Sequence, residues 1–269
     1  MNERIWLIGD LHGNFAPIER FWKRNKKIYN FSPETDIMIC LGDFCGNYFL
    51  SSKDSVFKER LRKYNLTFFV IRGNHEERPS ICMKNNPDKW TMDSMFKNFV
   101  YVEKDFDFIK YALDVPAIYN IQGYKTLIVP GAYSVDKNYR LAKGWNWFEN
   151  EQLTREEKDE CLKMLKNKKN KDLDLILSHT CPQFWQPKDL FLSQIDQSSV
   201  DSSMERFLDL VERKVTFKAW LWGHYHVYRE LPRADAMIST TSPKRIMLSD
   251  GKEVLNLDQI FLEKENRKY

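Results

Sequence analysis

The sequence predicts an α/β layered fold. Three observations carry that reading: short apolar runs alternate with stretches of helical periodicity, the middle of the chain holds several strand-like runs joined by short turns, and 42% of the 269 residues are hydrophobic, enough for one large core. No Pro, Gly and Ser-rich linker, internal repeat or shift of composition divides the chain, so residues 1–269 read as a single domain.

The first strand is expected at residues 5–8. After a polar loop, Ile18, Phe21 and Trp22 mark one face of a helix, with Pro17 in its first turn, where a missing N–H costs nothing. A second strand is expected at 37–41, a helix at 53–64, and a third strand at 66–71, where β-branched and aromatic residues suit the pleat. Residues 79–98 show no period that assigns them. Between 100 and 129 the runs 117–121 and 124–129 flank Gln122-Gly123, a two-residue turn signal, so antiparallel pairing is expected. Thr154 with Glu157 reads as a capping box opening a helix to about 166, which feeds a strand at 173–177. Ser202 with Glu205 repeats that signal for a helix to about 214, ahead of a strand at 219–222. The runs 246–248 and 254–257 look like closing strands.

Charge and cysteine usage narrow the setting. A formal charge of +4, from 42 basic and 38 acidic residues, is too mild to indicate a nucleic-acid partner. No apolar run approaches the ~20 residues that cross a bilayer, so no membrane is expected. The N-terminus enters a strand at once, without the regions of a signal peptide, and the five scattered cysteines, with no CxxC pair, read as reduced thiols. The expected location is the cytoplasm, with any protein partner unspecified.

The chemistry gathers where strands end. The runs ending near residues 8, 41, 71, 177 and 222 are each followed by a loop with Asp, His or Asn: Gly9-Asp10-Leu11-His12-Gly13-Asn14, Gly42-Asp43, Gly73-Asn74-His75-Glu76, Ser178-His179-Thr180 and Gly223-His224-Tyr225-His226. All 5 histidines of the chain stand there. Ligand sites in α/β sheets form at the carboxyl ends of strands, so these loops can converge. Imidazole and carboxylate together suit divalent cations such as Mn, Fe, Ni and Zn, and the Asp-x-His and His-x-His spacings project both side chains from one side of an extended strand end.

The set GDLHGN, GD, RGNHE, SH and GHYH, strung in this order over residues 9–226, resembles the calcineurin-like metallophosphoesterases. The resemblance implies two packed mixed β-sheets flanked by α-helices, a four-layer α/β/β/α sandwich. It implies hydrolysis of phosphate esters at two divalent metal ions, manganese first, with iron, nickel or zinc as alternatives. Asp10, His12 and His226 would hold one ion, and Asn74, His179 and His224 the other. Asp43 would bridge them, and a hydroxide shared by the ions would be the nucleophile. His75 would stand beside the leaving group as general acid.

The second motif departs from the serine/threonine protein phosphatase branch. Where that branch has Asp three residues and Arg four residues after the bridging Asp, this chain has Gly46 and Asn47, so a partner for His75 and a phosphate clamp are both missing. Protein phosphatase activity is therefore disfavoured. Arg72 and Arg140 are the candidate substrate-binding residues, with Arg78 a third basic group near the motifs. Trp145, Trp147 and Phe148 line a pocket or anchor a loop, and the aperiodic segment 181–200 is a candidate lid. The expected substrate is a small phosphorylated compound, a phosphomonoester or small nucleotide, with a phosphodiesterase or nuclease as the alternative. A non-catalytic scaffold fits poorly with an intact ligand set.

Overall fold

Alternation within the first strand sets the layering. The structure, a computed structural model, describes residues 4–84, 90–191, 193, 195–231 and 243–262. In β1 (Arg4–Ile8) Ile5 and Leu7 face one way, and Trp6 and Ile8 the other; all four are buried. A strand covered on both faces must lie between layers, which is why it reads as an unbroken apolar run.

The chain continues through α1 (Ala16–Asn25), β2 (Asp36–Cys40), α2 (Ser52–Glu59), β3 (Thr67–Val70) and the short α3 (Pro79–Cys82). Next come β4 (Trp90–Asp93), β5 (Asn98–Val102), β6 (Ile109–Tyr111), β7 (Ala117–Ile121) and β8 (Tyr124–Val129). The last part holds α4 (Lys137–Ala142), α5 (Arg155–Met164), β9 (Leu175–Ser178), α6 (Ser203–Glu212), β10 (Ala219–Trp222), β11 (Tyr228–Glu230), β12 (Lys244–Leu248), β13 (Leu255–Asn256) and α7 (Leu257–Leu262).

These strands form two mixed sheets, one of 7 strands in the order β13-β1-β2-β3-β6-β5-β4 and one of 6 in the order β11-β12-β10-β9-β8-β7. Inner faces meet through Ile5, Leu7, Ile37, Ile39 and Phe69 from the first sheet and Ile128, Leu175, Leu177, Leu221 and Ile246 from the second. The outer face of the first sheet lies under Phe15, Ile18, Leu61 and Tyr64. That of the second lies under Cys161, Leu165, Met204, Phe207 and Val211 of and around α5 and α6. The result is the four-layer α/β/β/α sandwich. Within it β1, β2 and β3 run parallel, as do β8, β9, β10 and β12, so the carboxyl ends of each set emerge on one side.

Several expectations are corrected in detail. The helix expected over 53–64 ends at Glu59 and gives way to a 3-10 turn, Arg62–Tyr64, closed by Asn65 in the left-handed conformation. The run 100–129 is divided between the sheets: β5 with β6, and β7 with β8, pair antiparallel as expected, but β6 pairs parallel to β3 and β8 parallel to β9. Only tertiary position decides such pairings. The unassigned stretch 79–98 supplies α3 and the edge strand β4. The Thr154–Glu157 capping box forms, with Thr154 Oγ1 accepting from the Glu157 N–H and Glu157 closing back on the Thr154 N–H. The Ser202–Glu205 box does not, because Glu205 accepts instead from Thr180 Oγ1 at 2.7 Å and Ser202 Oγ accepts from Arg206. The closing run 254–257 is the two-residue β13 followed at once by α7.

Candidate metal centre

Five strand ends deliver their loops to one side of the sandwich. Backbone bonds link the loops, His12 N–H donating to Asp43 O at 2.7 Å and Gly223 N–H to His179 O at 3.0 Å. The His224 N–H lies 2.9 Å from both carboxylate oxygens of Asp10, joining the first motif to the last.

Side chains converge in two overlapping groups. Ligand atoms of Asp10, His12, Asp43 and His226 all lie within 4.8 Å of one another. In that group His12 Nε2 is 3.1 Å from His226 Nε2 and 3.4 Å from Asp43 Oδ2. The second group centres on Asn74 Oδ1, which is 2.8 Å from His179 Nε2 and 3.1 Å from His224 Nδ1. Asp43 touches both groups, since its Oδ1 lies 3.5 Å from His179 Nε2 while also accepting from the His75 N–H at 2.9 Å.

The backbone is bent to achieve this. Asp10, His12, Asp43, His224 and His226 have positive φ, from 43° to 79°, a region that residues with a Cβ seldom occupy. Such strain persists only where the surroundings impose it, and it gathers at functional sites. Two glycines let the loops close: a Cβ on Gly73 would lie 2.1 Å from Asp43 Oδ1, and one on Gly42, at φ +98°, would lie 2.0 Å from His179 Nδ1.

Residues 3–228 match the family model described as calcineurin-like phosphoesterase. The chain belongs to the calcineurin-like phosphoesterase family. Among solved structures, TT1561 of Thermus thermophilus is 12% identical, covering 97% of this chain and 96% of that one, with a TM-score of 0.50, a likeness of fold. Looser likenesses are the phosphopantetheinyl hydrolase of Mycobacterium tuberculosis, 15% identical over 92% and 89% with a TM-score of 0.41, and an archaeal phosphodiesterase, 10% identical over 94% and 98% with a TM-score of 0.35. No curated protein matches the chain. As a calcineurin-like phosphoesterase the protein is a metal-dependent hydrolase of phosphate esters. Among the described residues no helix is long and apolar enough to cross a membrane.

The donor set fits divalent cations on electrostatic grounds. His179 Nδ1 lies 2.8 Å from Leu41 O and must donate to it, so the neutral ring aims its Nε2 lone pair at the Asn74 oxygen. Two acceptors at that distance repel unless a cation or a proton sits with them. In the metal-free phosphoesterase a proton does: burial opposes charge on His179, but Asp43, Asp10 and the Leu41 carbonyl outweigh it and raise its pKa to about 9. Burial and the neighbouring His179 hold His224 well below its ordinary value, and burial with His12 lowers His226, leaving their lone pairs free. Burial, reinforced by Asp43, pushes the Asp10 carboxyl well up, whereas for Asp43 burial is outweighed by His179, His75 and His12, which hold its carboxyl well down. Carboxylates so placed need positive charge beside them.

His75 sits at the edge of this cluster, its Nε2 3.9 Å from Asp136 Oδ2 and its ring stacked near Tyr48. Burial, with Arg140 and His12 adding like charge, lowers its pKa to about 4 against the pull of Asp43 and Asp136. A carboxylate therefore does stand near His75, but it comes from residue 136 and not from position 46. Asn47 is buried and accepts from Lys58 Nζ at 3.0 Å.

The arginines have other partners. Arg72 is buried, donates to Gly73 O and Glu151 O, and faces Arg78, Asp114 and Glu157; burial lowers its pKa to about 10. Arg78 forms a two-pronged pair with Glu157 at 2.6 and 3.1 Å. Arg140 is 0% exposed, its Nη1 3.0 Å from Ser134 Oγ and its Nε and Nη2 on Asn146 O. Phe148 is buried against Tyr48, anchoring its loop, while Trp145 is exposed beside Tyr139 and Trp147 lies under Lys137. In the segment 181–200, Trp185 packs against Trp220 and Trp222, which ties its start to the second sheet.

Sequence reasoning missed Ser134, Asp136 and Glu151, which surround Asn74 and His75 in space. Spacing gives no signal for them, because they reach the site from the loops after β8 and α4.

Proposed function

We propose that this phosphoesterase uses a binuclear centre, with Asp10, His12 and His226 holding one cation, Asn74, His179 and His224 the other, and Asp43 between them, to hydrolyse a small phosphomonoester or nucleotide. The observation that carries the reading is the position of Asp43, in reach of a histidine from each group. Bound divalent cations, manganese first among them, supply an activated water and neutralise charge on the phosphoryl oxygens.

The chain's own groups do the rest. The buried carboxylates and imidazoles would hold the cations on which the phosphoryl group is positioned, and the strained loops keep them from relaxing. His75 is neutral in the free protein and needs an incoming phosphate ester, an anion, to draw a proton onto it before it can protonate the leaving oxygen. Five unpaired cysteines support a reducing, cytoplasmic setting.

A phosphodiesterase is the second reading, and one observation favours it: neither Arg72 nor Arg140 is exposed to clamp the extra charge of a monoester. Turnover of p-nitrophenyl phosphate and of bis-p-nitrophenyl phosphate, each with Mn, Fe, Ni and Zn in turn, separates the two. A large preference for the monoester is expected; a large preference for the diester would reject the first reading.

A further inference from the structure

Asn74 is a ligand only if its oxygen, and not its nitrogen, faces His179 and His224. An amide can be turned either way at almost no shape cost, so something must choose. The choice falls to Ser134, which is 1% exposed and stands on the far side of the amide, its Oγ 2.8 Å from Asn74 Nδ2.

A serine hydroxyl has one proton. Here Glu151 takes it: the Ser134 hydroxyl donates to Glu151 Oε2, and the Ser134 N–H donates to Glu151 Oε1 at 2.8 Å. Arg140, which can only donate, occupies the same oxygen from another direction at 3.0 Å. With its proton committed and one lone pair taken, Ser134 Oγ can only accept from Asn74. The Asn74 NH2 must therefore point to Ser134 and its oxygen to the histidines. Ser134, Glu151, Arg140 and Asn74 are all at most 2% exposed, so no water competes for these bonds.

We propose that Ser134, held by Glu151 and Arg140, is a positioning residue that fixes the Asn74 amide with its oxygen toward the second cation. This rests on the binuclear reading above and gives Arg140 a role away from the phosphate. Groups behind a ligand typically alter metal affinity by about 10–100-fold when removed.

Cation stoichiometry and affinity, measured by equilibrium dialysis with Mn(II) and by calorimetry, test the proposal. Wild type is expected to hold two cations. Ser134→Ala should keep the cation of the Asp10 group and bind the second at least about tenfold more weakly. In an Asn74→Asp background both oxygens are alike, orientation no longer matters, and adding Ser134→Ala should cost nothing. Glu151→Gln, which lets Ser134 turn its proton toward Asn74, should weaken the second cation too and serves if Ser134→Ala folds poorly. Unchanged second-site affinity in both Ser134→Ala and Glu151→Gln overturns the proposal alone, as does a loss that persists undiminished in the Asn74→Asp background. A wild-type protein that never holds a second cation overturns the binuclear reading and this one with it.

Discussion

Asp43 and His75 touch through one hydrogen bond, yet their substitutions should read out differently. Asp43→Asn keeps the shape and removes a buried negative charge from between His12 and His179. Turnover should fall below detection, with the circular dichroism spectrum unchanged; activity equal to wild type would reject the bridging role. His75→Asn should leave the cations bound and slow the reaction. The loss should be about 100-fold or more for an alkyl phosphate, whose leaving oxygen needs a proton, and much smaller for p-nitrophenyl phosphate, which does not. Equal losses on both substrates would remove His75 from the role of acid.

Helix α5 shows how an element far from the chemistry supports it. Thr154 and Glu157 cap its N-terminus, and the same Glu157 carboxylate receives Arg78 from the chain just past the RGNHE motif. One residue thus closes a helix and ties down a loop that carries two site residues. Thr154→Ala should cost about 1 kcal/mol, the ordinary value of an N-cap, and lower the melting temperature by about 2–4 °C. Activity at 25 °C should not change, since Glu157 still holds Arg78; a fall in turnover matching that of Asp43→Asn would show that the cap itself positions the metal loops. The contrast with α6 is instructive. Its Ser-x-x-Glu spacing is as good in the sequence, but Glu205 is drawn to Thr180, next to His179 of the candidate site, so position in the sandwich overrides a local signal.

The whole molecule couples metal, protons and stability. In the metal-free protein the His179 pKa is about 9 against an ordinary 6.5, so the folded state binds a proton the unfolded chain gives up. That contribution is fully present below pH 6.5 and is lost as pH rises toward 9. In the proposed centre a cation held by His179 would have to displace that proton, so its affinity should climb about tenfold per pH unit and level off near 9. Melting curves with and without chelator should show the metal-free protein weakening from pH 6.5 to 9 while the loaded protein gains on it. A melting temperature of the chelated protein that is flat across that range would contradict the coupling. Chelation itself should destabilise the protein, by about 2.7 kcal/mol for each cation that had stood at 100 times its dissociation constant.

The order of residues along the chain was enough to establish the layered α/β class and to pick out the Asp, His and Asn residues that converge at the strand ends. Apolar runs such as 5–8 and 37–41 can only be buried strands, and Asp, His and Asn recur directly after them. Those signals are local, lying within a few residues of one another. Folding in three dimensions was needed to settle that β6 and β8 pair parallel to distant strands, that Arg72 and Arg140 are sealed inside, and that Ser134, Asp136 and Glu151 gather behind Asn74 and His75. The cause is that a hydrogen bond acts over about 3 Å of space, whatever number of residues separates its partners along the chain.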